Sequence, residues 1–217
     1  MPSKFIKRDF RENSYYHIFN RGVEARSIFQ DDQDYKAFLF YLYIYTTPLE
    51  EVKAEYPKLP MRLQSKNLSS EVKLLGYCLM PNHFHLLLQQ KSKDAVAKLM
   101  KQSINGYTIY FNQRNKRIGA LMQGRYKAAP IDTTELLTQM WRFIHLNPVI
   151  AGLNENLKDY EWSSYGFFVG KSKELKCASD LAKQFPSLEE IQKFHLDKAD
   201  YEAKLSLIKD IVIDQEP

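Results

Sequence analysis

The sequence predicts an α+β sandwich with a largely antiparallel sheet. Three observations carry that prediction. Short apolar or alternating runs at 15–20, 72–80, 83–90 and 124–131 read as strands. Stretches with apolar residues spaced by three and four separate them. The resulting order is strand, helix, strand, strand, helix, strand, helix, and strands joined by tight turns favour antiparallel pairing.

Taken in order, YYHIFN at 15–20 is aromatic and β-branched and stops at Arg21-Gly22. Asp31 and Asp32 are acidic helix-start signals before DYKAFLFYLYIY, a helix that must stop before Pro48. Residues 48–70 hold three prolines and many charges, and read as a loop or short helix. VKLLGYCLM at 72–80, the Pro81-Asn82 turn and HFHLLLQQ at 83–90 read as a hairpin. From Asp94 to about Asn112, Val96, Leu99, Met100, Ile104, Tyr107 and Phe111 mark one helix face. A basic loop at 112–119 leads to the strand GRYKAAPI at 124–131. Thr133 or Thr134 caps a helix expected to run to about Leu146, before Pro148, and Glu135 favours its start. The stretch from 171 onward reads as a mainly helical extension, with a capping box at Ser187 and Glu190 opening a helix over 187–208.

Composition removes several classes. At 217 residues the chain suits one large domain with a tail. With 44% hydrophobic and 26% charged residues, disorder over most of it is not expected. No apolar run approaches the roughly 18–20 residues of a membrane span, and the first 13 residues lack an apolar signal core. The only cysteines, Cys78 and Cys177, have no metal-type spacing, so a reducing cytoplasm is the expected compartment. The net charge of +5 is unevenly spread. Residues 91–130 hold nine basic residues and one acidic one, so the rest of the chain is net negative. A solvated helix face would explain that density, and so would a surface that tracks phosphates.

Among five histidines, only His83 and His85 are two apart. On a strand they point to one face while Phe84 points to the other. Neighbouring imidazoles can chelate a divalent ion, although an isolated His-x-His pair is a weak signal.

The segment GYCLMPNHFHLLLQ at 76–89 resembles the HUH strand of the single-tyrosine transposases. These are the cut-and-join enzymes of small insertion sequences and their REP-associated relatives. YHIFNRG at 16–22, Ile28-Phe29 with Asp31, Asp32 and Tyr35, LMQGRYK at 121–127, RFIHLNPVIAGL at 142–153 and DYEWSSY at 159–165 resemble further segments of that family, in order. The resemblance spans roughly residues 14–168. It implies a ferredoxin-like (RRM- or palm-like) sheet of the HUH endonuclease type with helices on one face. It divides the chain into a domain at 1–170 and an extension at 171–217.

The resemblance also implies a chemistry. His83, His85 and Asn147 would hold Mg²⁺ or Mn²⁺ against a scissile phosphate. A tyrosine hydroxyl would attack phosphorus, giving a 5′-phosphotyrosine and a free 3′-OH that a later strand transfer reverses. No external energy source is needed, which agrees with the lack of a Gly-rich phosphate loop. The implied partner is single-stranded, hairpin-bearing DNA of the REP type, bound by a monomer or homodimer in the bacterial cytoplasm, at the nucleoid. Arg21, Arg114, Lys116, Arg117, Arg125 and Lys127 flank the family's DNA-facing elements and are the expected phosphate contacts.

The resemblance implies a nucleophile four residues before Asn147, one helical turn away on the same face, and residue 143 is Phe. The chain is therefore expected to bind DNA without cutting it. A deliberate Tyr→Phe replacement, a natural domesticated copy, or service by Tyr107, Tyr110 or Tyr126 would each account for this. A binding module without catalysis is the alternative function; rolling-circle initiators or relaxases and an RRM-like RNA-binding domain are the rival families. His17 reads as a hydrogen-bonded core residue, His145 as structural or a phosphate contact, and His195 as solvated. Trp141 and Trp162 read as packing residues.

Overall fold

A computed structural model describes residues 10–171 and 175–208. Four antiparallel strands form one sheet in the order β2-β3-β1-β4: β1 Ser14–Arg21, β2 Val72–Met80, β3 His83–Gln90 and β4 Lys127–Ile131. β2 and β3 are the expected hairpin about Pro81-Asn82, pairing Met80 with His83 and Cys78 with His85, with an irregularity between Leu74 and Gly76. The register then runs His83 to Arg21 and His85 to Phe19 across β1, and Phe19 to Lys127 across β4.

Between β1 and β2 lie α1 (Asp32–Thr46) and two short helices, α2 (Leu49–Glu55) and α3 (Met61–Gln64). Asp31 caps α1 by accepting from the backbone N–H groups of Gln33 and Asp34. α4 spans Ala95–Arg114 and α5 spans Thr134–Ile150, capped by Thr133. Alternation along β3 sorts the helices. Phe84 packs on Phe38 of α1 (ring centroids 5.1 Å apart) and His85 on Phe143 of α5 (5.8 Å). α1 and α4 therefore share one face of the sheet and α5 crosses the other, so the helices are not confined to the single face expected.

α5 runs about one turn further than the sequence expectation: it continues through Pro148 to Ile150 instead of ending near Leu146. Proline there deletes a single intrahelical donor. The Ala151 N–H to Asn147 O and Leu153 N–H to Pro148 O bonds, each 2.9 Å, close the final turn around it. The fourth strand also begins later than expected. Gly124 sits at φ +68°, and the preceding segment instead bridges Gly22 through Met122.

Beyond α5, residues 162–164 run along the outer edge of β2. The Leu79 N–H donates to Trp162 O (2.9 Å), and the Ser164 N–H donates to Tyr77 O (3.0 Å). This covers an edge strand that would otherwise expose its backbone groups. Trp162 stacks on Tyr35 at 4.5 Å, and α6 (Tyr165–Phe168) follows. The expected 187–208 helix is two helices, α7 (Leu188–Leu196) and α8 (Lys198–Ile208), separated at Asp197. Ser187 caps α7 by accepting from the Glu190 N–H. Both helices pack on α5.

Candidate active site

β3 delivers His83 and His85 to the α5 face, with ring centroids 4.9 Å apart and planes nearly perpendicular. His85 is fully buried. Its Nδ1 lies 2.9 Å from His17 Nε2, and the two rings stack at 5.1 Å. His17 therefore acts on His85 from the neighbouring strand. If His85 donates from Nδ1, its lone pair is on Nε2, the nitrogen a metal would take. His83 is oriented in the same manner, with Nδ1 2.6 Å from Asn82 Oδ1.

Burial holds both imidazoles neutral. It pushes the pKa of His83 down to about 4, helped by the neighbouring Arg21 cation. The pKa of His85 falls well below the ordinary value through burial first, then His83 and His17. Neutral imidazoles with their other ring nitrogen engaged fit a divalent cation as donors.

Phe143 sits edge-on to both His85 and His17, at 5.8 and 6.3 Å, and is 4% exposed. Asn147 lies one turn further along α5, also buried. Its Nδ2 donates to the Phe143 carbonyl at 3.1 Å, so the amide is turned onto its own helix and makes no hydrogen bond to His83 or His85 among those described. Among the described residues, no three His, Cys, Asp or Glu side chains cluster as a metal site.

The basic residues do not form one set. Arg21 pairs with His83 across the sheet, and Lys127 Nζ lies 5.8 Å from the Phe19 ring, so both belong to the histidine face. Lys116 and Arg125 are exposed. Arg117 is held by Asn112 Oδ1 (2.6 Å) and Ala120 O (3.2 Å). Arg114 is taken up differently: its guanidinium binds Asp31 (2.5 Å) and the buried Asp34 (2.6 Å), tying the end of α4 to the start of α1. That cation is committed to the fold.

The two α4 tyrosines lie on the wrong side of the sheet. The Tyr107 hydroxyl donates to Ile28 O, and that of Tyr110 donates to Asp34 (3.3 Å), both on the α1 face. Tyr126, before β4, is buried.

His195 is a correction. It is 1% exposed and not solvated. Its Nδ1 must donate to Ile191 O (2.8 Å), so its Nε2 accepts from His145 Nδ1 (2.9 Å). His145 Nε2 then accepts from Ser164 Oγ (2.8 Å), which itself accepts from the Tyr77 N–H. Arg142, one residue before Phe143, is also fully buried. It pairs with Asp200 (2.7 Å), donates to Asp197 O and lies over the Phe194 and Tyr201 rings. The extension thus grips α5 on either side of residue 143, a role the sequence reading did not assign. Buried Arg and His residues on one helix, with Asp and His in the tail, were the available signal.

A His-x-His strand lying under a helix, on an antiparallel α+β sheet, is the class that the fold and site define. Over part of its length the chain is similar to the IS200-like transposases: the family model described as "Transposase IS200 like" matches residues 49–145, taking in His83, His85 and Phe143 and stopping before Asn147. A solved REP-associated tyrosine transposase bound to a REP hairpin superposes with a TM-score of 0.52 at 14% identity, over 79% of this chain and 90% of that one, a likeness of fold. A tRNA(His) guanylyltransferase from Saccharomyces cerevisiae reaches a TM-score of only 0.39 at 8% identity, over 96% of this chain and 82% of that one, too slight a likeness to carry an argument. No curated protein matches the chain.

Proposed function

We propose that the protein binds hairpin-bearing single-stranded DNA of the REP type on the face crossed by α5 and does not cut it. The observation that carries this reading is Phe143, whose ring stands against His85 where a reacting hydroxyl would have to be. A phenyl ring keeps the packing and offers no oxygen to bond phosphorus.

Arg21 and Lys127 bring positive charge to the histidine face, and Lys116 and Arg125 add exposed cations in the segment between α4 and β4. Such contacts position the backbone, and sequence preference comes from bases displayed by the hairpin and its single-stranded arms. His83 and His85 would hold Mg²⁺ or Mn²⁺, with Asn147 joining once its amide releases the Phe143 carbonyl. Such an ion supplies Lewis-acid polarisation of a phosphate. With Nδ1 donating to His17 Nε2 in His85 and to Asn82 Oδ1 in His83, each imidazole would offer its Nε2 lone pair to the ion. The described part of the extension, 175–208, braces α5 through Arg142 and His145.

Cleavage by another tyrosine is the second reading, and the placement of Tyr107 and Tyr110 on the α1 face counts against it. The test is a gel-shift and nicking assay with labelled hairpin-bearing single strands from beside the protein's own gene, with and without Mn²⁺. The expected result is a shifted band and intact DNA in both conditions. A metal-dependent nick, or no shift at all, would overturn the proposal.

A further inference from the structure

On the far side of the sheet from Phe143, a groove of about 620 Å³ runs between α1, α3 and α4. Tyr41 lies in it against the backbone of α4. A Cβ at Gly106 would come within 2.6 Å of the Tyr41 ring, so glycine is what lets that ring lie so close to the helix. Arg62 and Lys66 come from the α3 side, and Lys98 and Lys101 from α4. Lys98 pairs with Glu71 (3.1 Å), whereas no ion pair involves Arg62, Lys66 or Lys101 among the described residues. Gln102 Oε1 is buried at the groove and accepts no hydrogen bond in the described structure. Ile109 adds an apolar surface, 59% exposed.

These features ask for one kind of ligand. Three uncommitted cations suit a chain of phosphates. A tyrosine ring beside an exposed isoleucine suits a flat base. A buried, unmatched amide oxygen suits an amino group on a base edge, because an unsatisfied acceptor is costly. A single phosphate would need neither ring nor acceptor.

We infer that this groove is a second site for single-stranded DNA, separate from the histidine face and holding an unpaired arm of the bound strand. The inference rests on the DNA-binding reading above. Arg62, Lys66 and Lys101 contact successive phosphates, Tyr41 stacks on a base, and Gln102 accepts from a base amino group.

The test uses the full chain and fluorescence anisotropy with an unstructured 20-nucleotide single-stranded DNA. Three proteins are compared: the unaltered chain, Lys66→Glu/Lys101→Glu, and Lys171→Glu/Lys183→Glu, which makes the same charge change on exposed residues outside the groove. Circular dichroism checks that each is folded. The groove variant is expected to bind at least about tenfold more weakly, with a salt dependence shallower by about 1.4 in log–log slope for two lost contacts. The control is expected to stay close to the unaltered chain. Ultraviolet crosslinking of a bromodeoxyuridine-substituted strand is expected to label Tyr41. Equal affinities for the two variants, or crosslinks only on the histidine face, overturn the second site and leave the proposed function standing. Failure of the unaltered chain to bind any single-stranded or hairpin DNA overturns both. Tighter binding to RNA of the same sequence overturns the choice of DNA.

Discussion

Acid should loosen this protein through a specific pair of histidines, and His195 lets the effect be measured. Burial pushes its pKa down to about 3, the hydrogen bond to Ile191 O opposing and Arg142 adding to the fall. Burial also takes His145 well below the ordinary value, helped by His195. In the unfolded chain each would titrate near 6.5. Between about pH 6.5 and pH 3 the unfolded state therefore binds the His195 proton and the folded state does not, so stability is full above that window and drains as pH falls. A depressed histidine loses about 1.4 kcal/mol per pH unit there, or about 2 kcal/mol by pH 5. His145 adds a loss of the same sign. Against a total of roughly 5–15 kcal/mol for a domain, this is a large fraction. The assay is urea unfolding at pH 7, 6 and 5, followed by fluorescence of Trp141, whose ring lies 4.8 Å from His195. His195→Gln should be less stable at pH 7, because His145 loses its partner, yet lose about 2 kcal/mol less than the unaltered chain between pH 7 and 5. Parallel pH dependences in the two proteins would refute the buried-neutral account of His195.

Arg114→Ala should lower the melting temperature, since Asp34 loses its cation, while DNA affinity measured by anisotropy stays the same because that guanidinium already serves Asp31 and Asp34. Gly22→Ala would place a Cβ 2.2 Å from Arg26 O, so the loop bonded to Asn82 must shift; thermal melts should show a loss of roughly 1–3 kcal/mol. Replacing Lys116 and Arg125 with Ala should weaken hairpin binding and flatten its salt dependence by about 0.7 per lost contact on a single strand, read from anisotropy titrations.

Much of the fold was legible because its signals are local. Alternation around Phe84 separated the two faces of β3, Asp31 announced α1, and Pro81-Asn82 announced the hairpin turn. The end of α5 was misjudged because the rule that proline ends helices weighs one lost donor, not the closing bonds beyond it. His83, His85 and Phe143 were identified through resemblance, and the structure brings them together. The bond from His17 to His85 joins residues 68 apart, and those from His145 to His195 and Arg142 to Asp200 join residues 50 and 58 apart. Sequence spacing carries no trace of such pairings. Arg114 shows the same limit for charge: local density does not distinguish an arginine facing two aspartates some 80 residues upstream from one facing DNA.

The central claim is that residue 143 decides whether bound DNA is cut. The direct measurement is a denaturing gel of the unaltered chain and Phe143→Tyr after incubation with end-labelled hairpin-bearing single-stranded DNA and Mn²⁺. The account predicts a covalent protein–DNA adduct with the tyrosine variant, dependent on His83 and His85, and none with the phenylalanine chain. An adduct formed by the unaltered chain would contradict it.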